Sequence, residues 1–399
     1  MDPIKILDNV YWVGAVDYDI RDFHGYLTPK GSTYNAYLVV DDKITLIDTV
    51  RHGFEEELLS RVAKVVDPAK IDQVVSNHAE MDHSGGLPEI MKAIGLSKPV
   101  YASKLGVQAL GGQFQNAGLN LQAVGASLSL GKEELTFMET RMIHWPDSMF
   151  SFLAARGILF SQDGFGLHLA STQRFDDELG ENVWGPLALN YFANILTPYT
   201  APISKILETV VSSGLAARIK IICPDHGLIW RKDPGRILQH YQEWVQQKPK
   251  NKAVIVFDTM WHSTEFMARE LTDCLRVAGI ETRYQSLKNT HRSQVVTECY
   301  EAAAVLVGSP TINNQMFPSV ADFLNYARGL KFKNKIGGAF GSYGWSGEAP
   351  KQVQAELAAM GYQLPAPEVR FKWVPLEKDL DGVRQLGKTV AEAVKKAVA

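Results

Sequence analysis

The sequence predicts an α/β protein in two parts, an α/β sandwich followed by a doubly wound parallel sheet. Three observations carry that reading. Residues up to about 230 interleave many short strands with few helices, and residues from 253 onward alternate strand and helix regularly. Between them, Gln246-Gln247-Lys248-Pro249-Lys250-Asn251-Lys252 is polar and basic and breaks the preceding helix at Pro249. At 399 residues the chain is long enough for two domains, and we place them at 1–250 and 251–399.

In the first part, residues 34–40 and 44–49 are β-rich runs joined by Asp41-Asp42-Lys43, a hairpin signal. Residues 54–66 space Leu58, Leu59, Val62, Val65 and Val66 for a helix that Asp67-Pro68 ends. Residues 71–76 form a strand leading into a loop, and 87–94 a helix. Short strands follow at 100–102, 134–139, 149–154, 157–161 and 219–223. In the second part, strands at 253–257, 282–286, 304–307 and 335–340 alternate with helices at 265–278, 294–302, 319–329 and 350–360. A last helix covers 380–398. Strict βαβ order implies a parallel sheet with ligands at its strand C-termini.

Composition narrows the function. Hydrophobic content of 46% and charged content of 21% are those of a globular protein. A net charge of −3 argues against a nucleic-acid surface. No apolar run can span a bilayer, and Met1-Asp2-Pro3-Ile4-Lys5 lacks a signal-peptide core, so a cytoplasmic protein is expected. Cys223, Cys274 and Cys299 form no CxxC pair. They encode neither a disulfide framework nor an iron–sulfur site.

The densest chemistry lies in His78-Ala79-Glu80-Met81-Asp82-His83, four metal-ligand types within six residues. The bland alternative is a polar loop using histidines as hydrogen-bonding groups. Further ligand types end later strand segments: His144 in Ile143-His144-Trp145-Pro146, Asp163 before Gly164, and His226 before Gly227. Glycine or proline beside each permits a tight turn. Taken together they argue for a two-metal site, and the carboxylate at Glu80 favours iron or manganese over zinc. Asp48 is a candidate for orienting the ligand loop. His24, Tyr191 and Phe192 are candidates for a pocket over the metals, with ordinary packing as the alternative. His52, His168 and His240 carry no motif and read as surface or core residues.

In the second part, three loops at strand ends are rich in small and polar residues. The first contains Thr259, Met260, Trp261, His262, Ser263 and Thr264, at a helix N-terminus able to hold a phosphate. The second is Ser309, Pro310, Thr311, Ile312, Asn313 and Asn314. The third is Ser342, Tyr343, Gly344, Trp345, Ser346 and Gly347, whose aromatics could flank a ring. Neither GxGxxG nor GxxxxGK[ST] is present, which disfavours dinucleotide and P-loop sites.

The histidine loop resembles the HxHxDH signature of metallo-β-lactamase-fold hydrolases, with Glu80 in place of the second histidine. The three later loops resemble a flavodoxin-like FMN site. The full order HxExDH, His, Asp, His followed by those loops resembles the flavodiiron proteins over essentially the whole chain. The resemblance implies a metallo-β-lactamase-like αββα sandwich followed by a flavodoxin-like doubly wound domain. It further implies that His78, Glu80 and His144 hold one iron, that Asp82, His83 and His226 hold the other, and that Asp163 bridges them. Family members differ in whether the residue equivalent to His83 reaches the metal. The implied activity is reduction of O2 to water, of NO to N2O, or both, with electrons passing through FMN from an external donor such as rubredoxin. A head-to-tail homodimer, or a dimer of dimers, is implied because domains in line would separate flavin and irons within one chain. Two other readings stay open: a dizinc hydrolase with a flavodoxin-like appendage, and an electron-transfer flavoprotein with a vestigial metal site.

Overall fold

A computed structural model describes all residues from Met1 to Ala399. The chain forms two compact units. One comprises Met1–Phe23, Thr28–Tyr191 and Tyr199–Val245; the other comprises His24–Leu27, Phe192–Pro198 and Gln246–Ala399.

The first unit is a sandwich of a seven-stranded and a five-stranded sheet. The larger sheet runs in the order Ile4–Leu7, Val10–Trp12, Tyr37–Val39, Thr45–Ile47, Gln73–Val75, Pro99–Ala102, Asn120–Ala123. Its first four strands pair antiparallel and the rest parallel, with the helices Glu55–Ala63 and Leu87–Ile94 in the crossovers. The smaller sheet orders Ser127–Ser129, Glu134–Glu139, Met149–Leu153, Ile158–Gln162, Ile221–Pro224. Inward side chains of both sheets, Trp12, Tyr37, Ile47 and Val75 with Leu135, Met149, Phe160 and Cys223, make one core.

Strand direction positions the candidate ligand residues. Glu134–Glu139 pairs antiparallel with Met149–Leu153, which pairs antiparallel with Ile158–Gln162, and that strand is parallel to Ile221–Pro224. Two reversals restore direction, so the C-terminal ends of the first, third and fourth of these strands share one sheet edge. His144, Asp163 and His226 all follow those ends.

Two local expectations are corrected here. The ligand stretch is not wholly loop: Met81–Ser84 is one helical turn, placing Asp82 and His83 on helical backbone. Several elements of this unit went unforeseen, among them the N-terminal strand pair and the helices Lys104–Gln113, Glu181–Tyr191 and Thr200–Ser212.

The second unit is a five-stranded sheet in the order Glu281–Ser286, Lys250–Phe257, Ala302–Gly308, Ile336–Tyr343, Val369–Lys372, every pairing parallel. Numbered along the chain this is 2-1-3-4-5, the flavodoxin-like arrangement, whose ligand crevice opens where the strand order reverses. Its core joins Ile255, Phe257, Leu306 and Phe340 of the sheet to Val383, Leu386, Val390 and Val394 of the helix Leu380–Val398. Those last four are spaced three and four apart, the stripe a helix buries. The first strand starts at Lys250, earlier than expected, and Lys252 within it is buried with its ammonium 2.6 Å from Glu298. The edge strand Val369–Lys372 was not foreseen.

Candidate metal centre and flavin pocket

Two groups of donor atoms sit in the first unit: His78, Glu80, His144 and Asp163, and Asp82, His83 and His226. Within each group the ligand atoms lie within 4.8 Å of one another. The carboxylate of Asp163 is divided between them. Its Oδ2 lies 3.2 Å from His144 Nε2 and 3.4 Å from His78 Nε2. Its Oδ1 lies 3.1 Å from His83 Nε2 and 3.5 Å from His226 Nε2. Glu80 Oε2 completes the first group at 2.9 Å from His144 and 3.2 Å from His78. Asp82 Oδ2 completes the second, 3.0 Å from His226 and 3.3 Å from His83.

These donors fit metal ions. Both Asp82 oxygens are buried yet make no hydrogen bond, despite imidazole nitrogens within about 3 Å. Carboxylate oxygens that meet imidazole nitrogens in this way, without bonding to them, suit a shared cation. The donors are imidazole and carboxylate only, a set suited to iron, manganese or zinc.

The histidines are oriented from behind. His226 Nδ1 is 2.6 Å from the Thr33 carbonyl, which can only accept, so the proton is on Nδ1 and Nε2 is free for a metal. His78 Nδ1 is 3.2 Å from Asp147 Oδ2, which also accepts from the Ala79 amide at 2.7 Å. Asp225, buried with neither oxygen hydrogen-bonded, lies 3.5 Å from His83 Nδ1. Asp48, with φ +54°, accepts from the backbone and side-chain N–H groups of Asn77 at 2.6 and 2.7 Å, fixing the residue before His78. Gly227 turns the chain after His226 at φ +76°, where a Cβ would meet the Leu167 carbonyl oxygen at 2.4 Å.

The field in the cluster is strongly negative. Burial would lower the His78 imidazole, but Asp147 and Glu80 raise it well above its usual range. Asp82 and Asp163 likewise raise His83 to about 10 despite its burial. Burial also opposes the rise of His144, which Asp163 and Glu80 carry to about 9. Against its own burial, Asp163 is held well below the carboxylate range by His83 and His144. The same carboxylate field favours a metal cation in place of those protons.

Of the expected pocket residues, Tyr191 packs its ring 5.0 Å from His168 and 6.1 Å from His226. His24 and Phe192 belong to the second unit, where Phe192 lies 5.7 Å from the Tyr300 ring. His168 was passed over in the sequence. It is buried, its ring 4.6 Å from that of His226 and its Nδ1 2.7 Å from Ser32 Oγ. Burial and the neighbouring His226 hold it well below the usual imidazole range. Gly-Leu-His-Leu carries no local signal that could have singled it out. His52 pairs with Glu55, and His240 with Glu181.

In the second unit a cavity of about 420 Å³ opens at the strand C-termini. All three expected loops line it, through Met260, Trp261 and Ser263, through Pro310, Thr311, Ile312 and Asn313, and through Ser342, Tyr343, Gly344 and Trp345. The other expected residues are not part of that lining. Thr264 Oγ1 is 3.0 Å from Ser342 Oγ, tying the first loop to the third. Thr259 donates its amide to Asp258, His262 faces Glu265, and Ser309 Oγ accepts from the Phe317 amide. Asn314 donates to Ser346, and the Gly347 carbonyl accepts from Arg370. Trp373 and Val374, which follow the unforeseen edge strand, also line the cavity. Its size, hydroxyl-bearing helix start and aromatic walls fit a flavin mononucleotide.

Residues 33–227 match the model of the ODP family beta lactamase, and residues 255–387 that of flavodoxin. The chain is 45% identical to the rubredoxin-oxygen oxidoreductase of Megalodesulfovibrio gigas, with both chains fully covered. It is 44% identical to the nitric oxide reductase of Moorella thermoacetica over 98% of this chain and 99% of that one. Among solved structures, the rubredoxin oxygen:oxidoreductase of Desulfovibrio gigas superposes with a TM-score of 0.97 at 45% identity over all of both chains. The flavodiiron protein of Giardia intestinalis does so with 0.92 at 34% identity, over 100% of this chain and 99% of that one. This full-length likeness to oxidoreductases does not favour a dizinc hydrolase. The chain belongs to the flavodiiron protein family, and as a member it is an oxidoreductase whose cofactors are a non-heme diiron centre and FMN.

Proposed function

We propose that this enzyme reduces O2 to water, NO to N2O, or both, with electrons entering at FMN from an external donor such as rubredoxin. The observation that carries the reading is the division of the Asp163 carboxylate between the two donor groups. A carboxylate so placed would hold two metals close enough to engage a single diatomic molecule, or two together. The names of the relatives, rubredoxin-oxygen oxidoreductase and nitric oxide reductase, support those gases and that donor. When bound, the irons supply electrons to the gas and FMN supplies them to the irons. His78, Glu80 and His144 would hold one iron, Asp82, His83 and His226 the other. Asp147, the Thr33 carbonyl and Asp225 keep the three ligand imidazoles they face in register. Phe23 and Tyr191, whose rings lie 6.0 and 6.1 Å from that of His226, wall the second group.

The expected result is about two irons and one FMN per chain, with turnover of O2 or NO on reduced rubredoxin. Two zinc ions per chain without gas turnover would refute the proposal. Steady-state rates with each gas separate the two substrates.

The enzyme works as a head-to-tail homodimer, or a dimer of such dimers, in which one subunit's flavin serves its partner's irons. Supporting this, the rim of the flavin cavity is apolar and bare in a single chain. Trp261 is 85% exposed and Trp345 82%. Indoles so exposed, and clustered at one cavity, mark an interaction surface. Sedimentation is expected to show a dimer or tetramer; a monodisperse, fully active monomer contradicts it. No helix is long and apolar enough to cross a membrane, and a cytoplasmic setting fits that property.

A further inference from the structure

We infer that Trp373 is a flavin-binding residue that the edge strand of the sheet contributes to the isoalloxazine end of the cavity. The inference rests on the assignment of that cavity to FMN.

Position comes first. Val369–Lys372 is the last strand of the sheet, three strands away from Lys250–Phe257, whose loop leads to the Ser263 helix start. At about 4.8 Å per strand that separation is roughly 14 Å, so Trp373 stands far from the phosphate end. It stands beside the loop that carries Tyr343 and Trp345. The Trp373 amide donates to the Tyr343 carbonyl at 2.8 Å. Its indole lies so close over Gly344 that a Cβ there would come within 3.2 Å of the ring.

Backbone conformation is the second observation. Trp373 has φ +65°, in the left-handed region that bulky L-residues avoid. Glycine or asparagine would take that turn without penalty if turning were its only purpose. Tryptophan there instead projects a large planar surface into the cavity lining, where it remains 63% exposed although it packs on Gly344 and has the Lys372 ammonium 5.6 Å from its ring. An aromatic plane held in a disfavoured turn at the mouth of an aromatic-walled cavity suits stacking or edge contact with a flavin ring.

The test separates the turn from the contact. Apoprotein is titrated with FMN by flavin fluorescence, alongside thermal melting of the same apoprotein, for Trp373→Gly, Trp373→Ala and Trp373→Phe. We expect Trp373→Gly to melt no lower than wild type, because glycine relieves the turn, while its Kd for FMN rises roughly tenfold. Trp373→Phe is expected to restore most of the affinity. If Trp373→Ala does not fold, the glycine and phenylalanine variants carry the test alone. Glycine and wild-type proteins binding FMN within twofold of each other overturns the inference while leaving the cavity's assignment intact. Wild-type apoprotein that binds no FMN overturns both.

Discussion

Alanine in place of Asp163 is expected to empty both donor groups of metal at once. Each Asp163 oxygen faces a different group, Oδ2 toward His78 and His144 and Oδ1 toward His83 and His226. Asp163 is fully enclosed, so water cannot readily replace it with a comparable anion. Its loss leaves four imidazoles, three of them buried, sharing two carboxylates, Glu80 and Asp82, in the immediate cluster. Loss of an outer partner typically lowers metal affinity by about 10- to 100-fold. Loss of a ligand shared by two ions is therefore expected to exceed about a hundredfold, with gas turnover falling at least as far. His226→Ala is the contrasting variant, because His226 belongs to one group only and should leave the other metal in place. Iron analysis and turnover of the two purified variants make the comparison. FMN content should be unchanged in both, since the flavin cavity is built from another unit. If Asp163→Ala retains two irons, the carboxylate does not bridge.

The parts of this site that were legible in the sequence are those with local signatures. The histidine stretch announced itself by density, and His144, Asp163 and His226 by standing at strand ends. The alternation after residue 253 displayed a parallel sheet because each strand and helix there is long enough to show its own period. What was hidden depends on contacts distant in sequence. Asp147 supports His78 from 69 residues away, and Ser32 meets His168 across 136. No local pattern encodes such pairs. Val369–Lys372 was missed because an edge strand with one face half exposed lacks the continuous apolar run that marks the central strands. With it went Trp373. The turn Met81–Ser84 went unread because four residues are too few to display a helical period.

The substitution Glu80→His tests the feature that separates this centre from a zinc site. Glu80 Oε2 sits 2.9 Å from His144 Nε2 and 3.2 Å from His78 Nε2, so histidine there creates a three-imidazole group while Asp163 is kept. The exchange removes one negative charge from a buried cluster that raises its histidines strongly. A less anionic, nitrogen-rich group suits a hard ferrous or ferric ion less well, and zinc is well served by three imidazoles with an open position. Zinc has no redox chemistry, so a centre that accepts it cannot deliver electrons. The expected outcome is a rise in zinc content at the expense of iron and a loss of gas turnover of at least about a hundredfold. Reduction of FMN by the external donor should proceed unchanged, which distinguishes a failed metal centre from a failed enzyme. Refolding in iron alone sharpens the result. If affinity is the only defect, excess iron restores turnover; if the carboxylate also tunes the iron it binds, a fully loaded variant stays slow. A variant that retains two irons and full turnover would show that Glu80 decides neither.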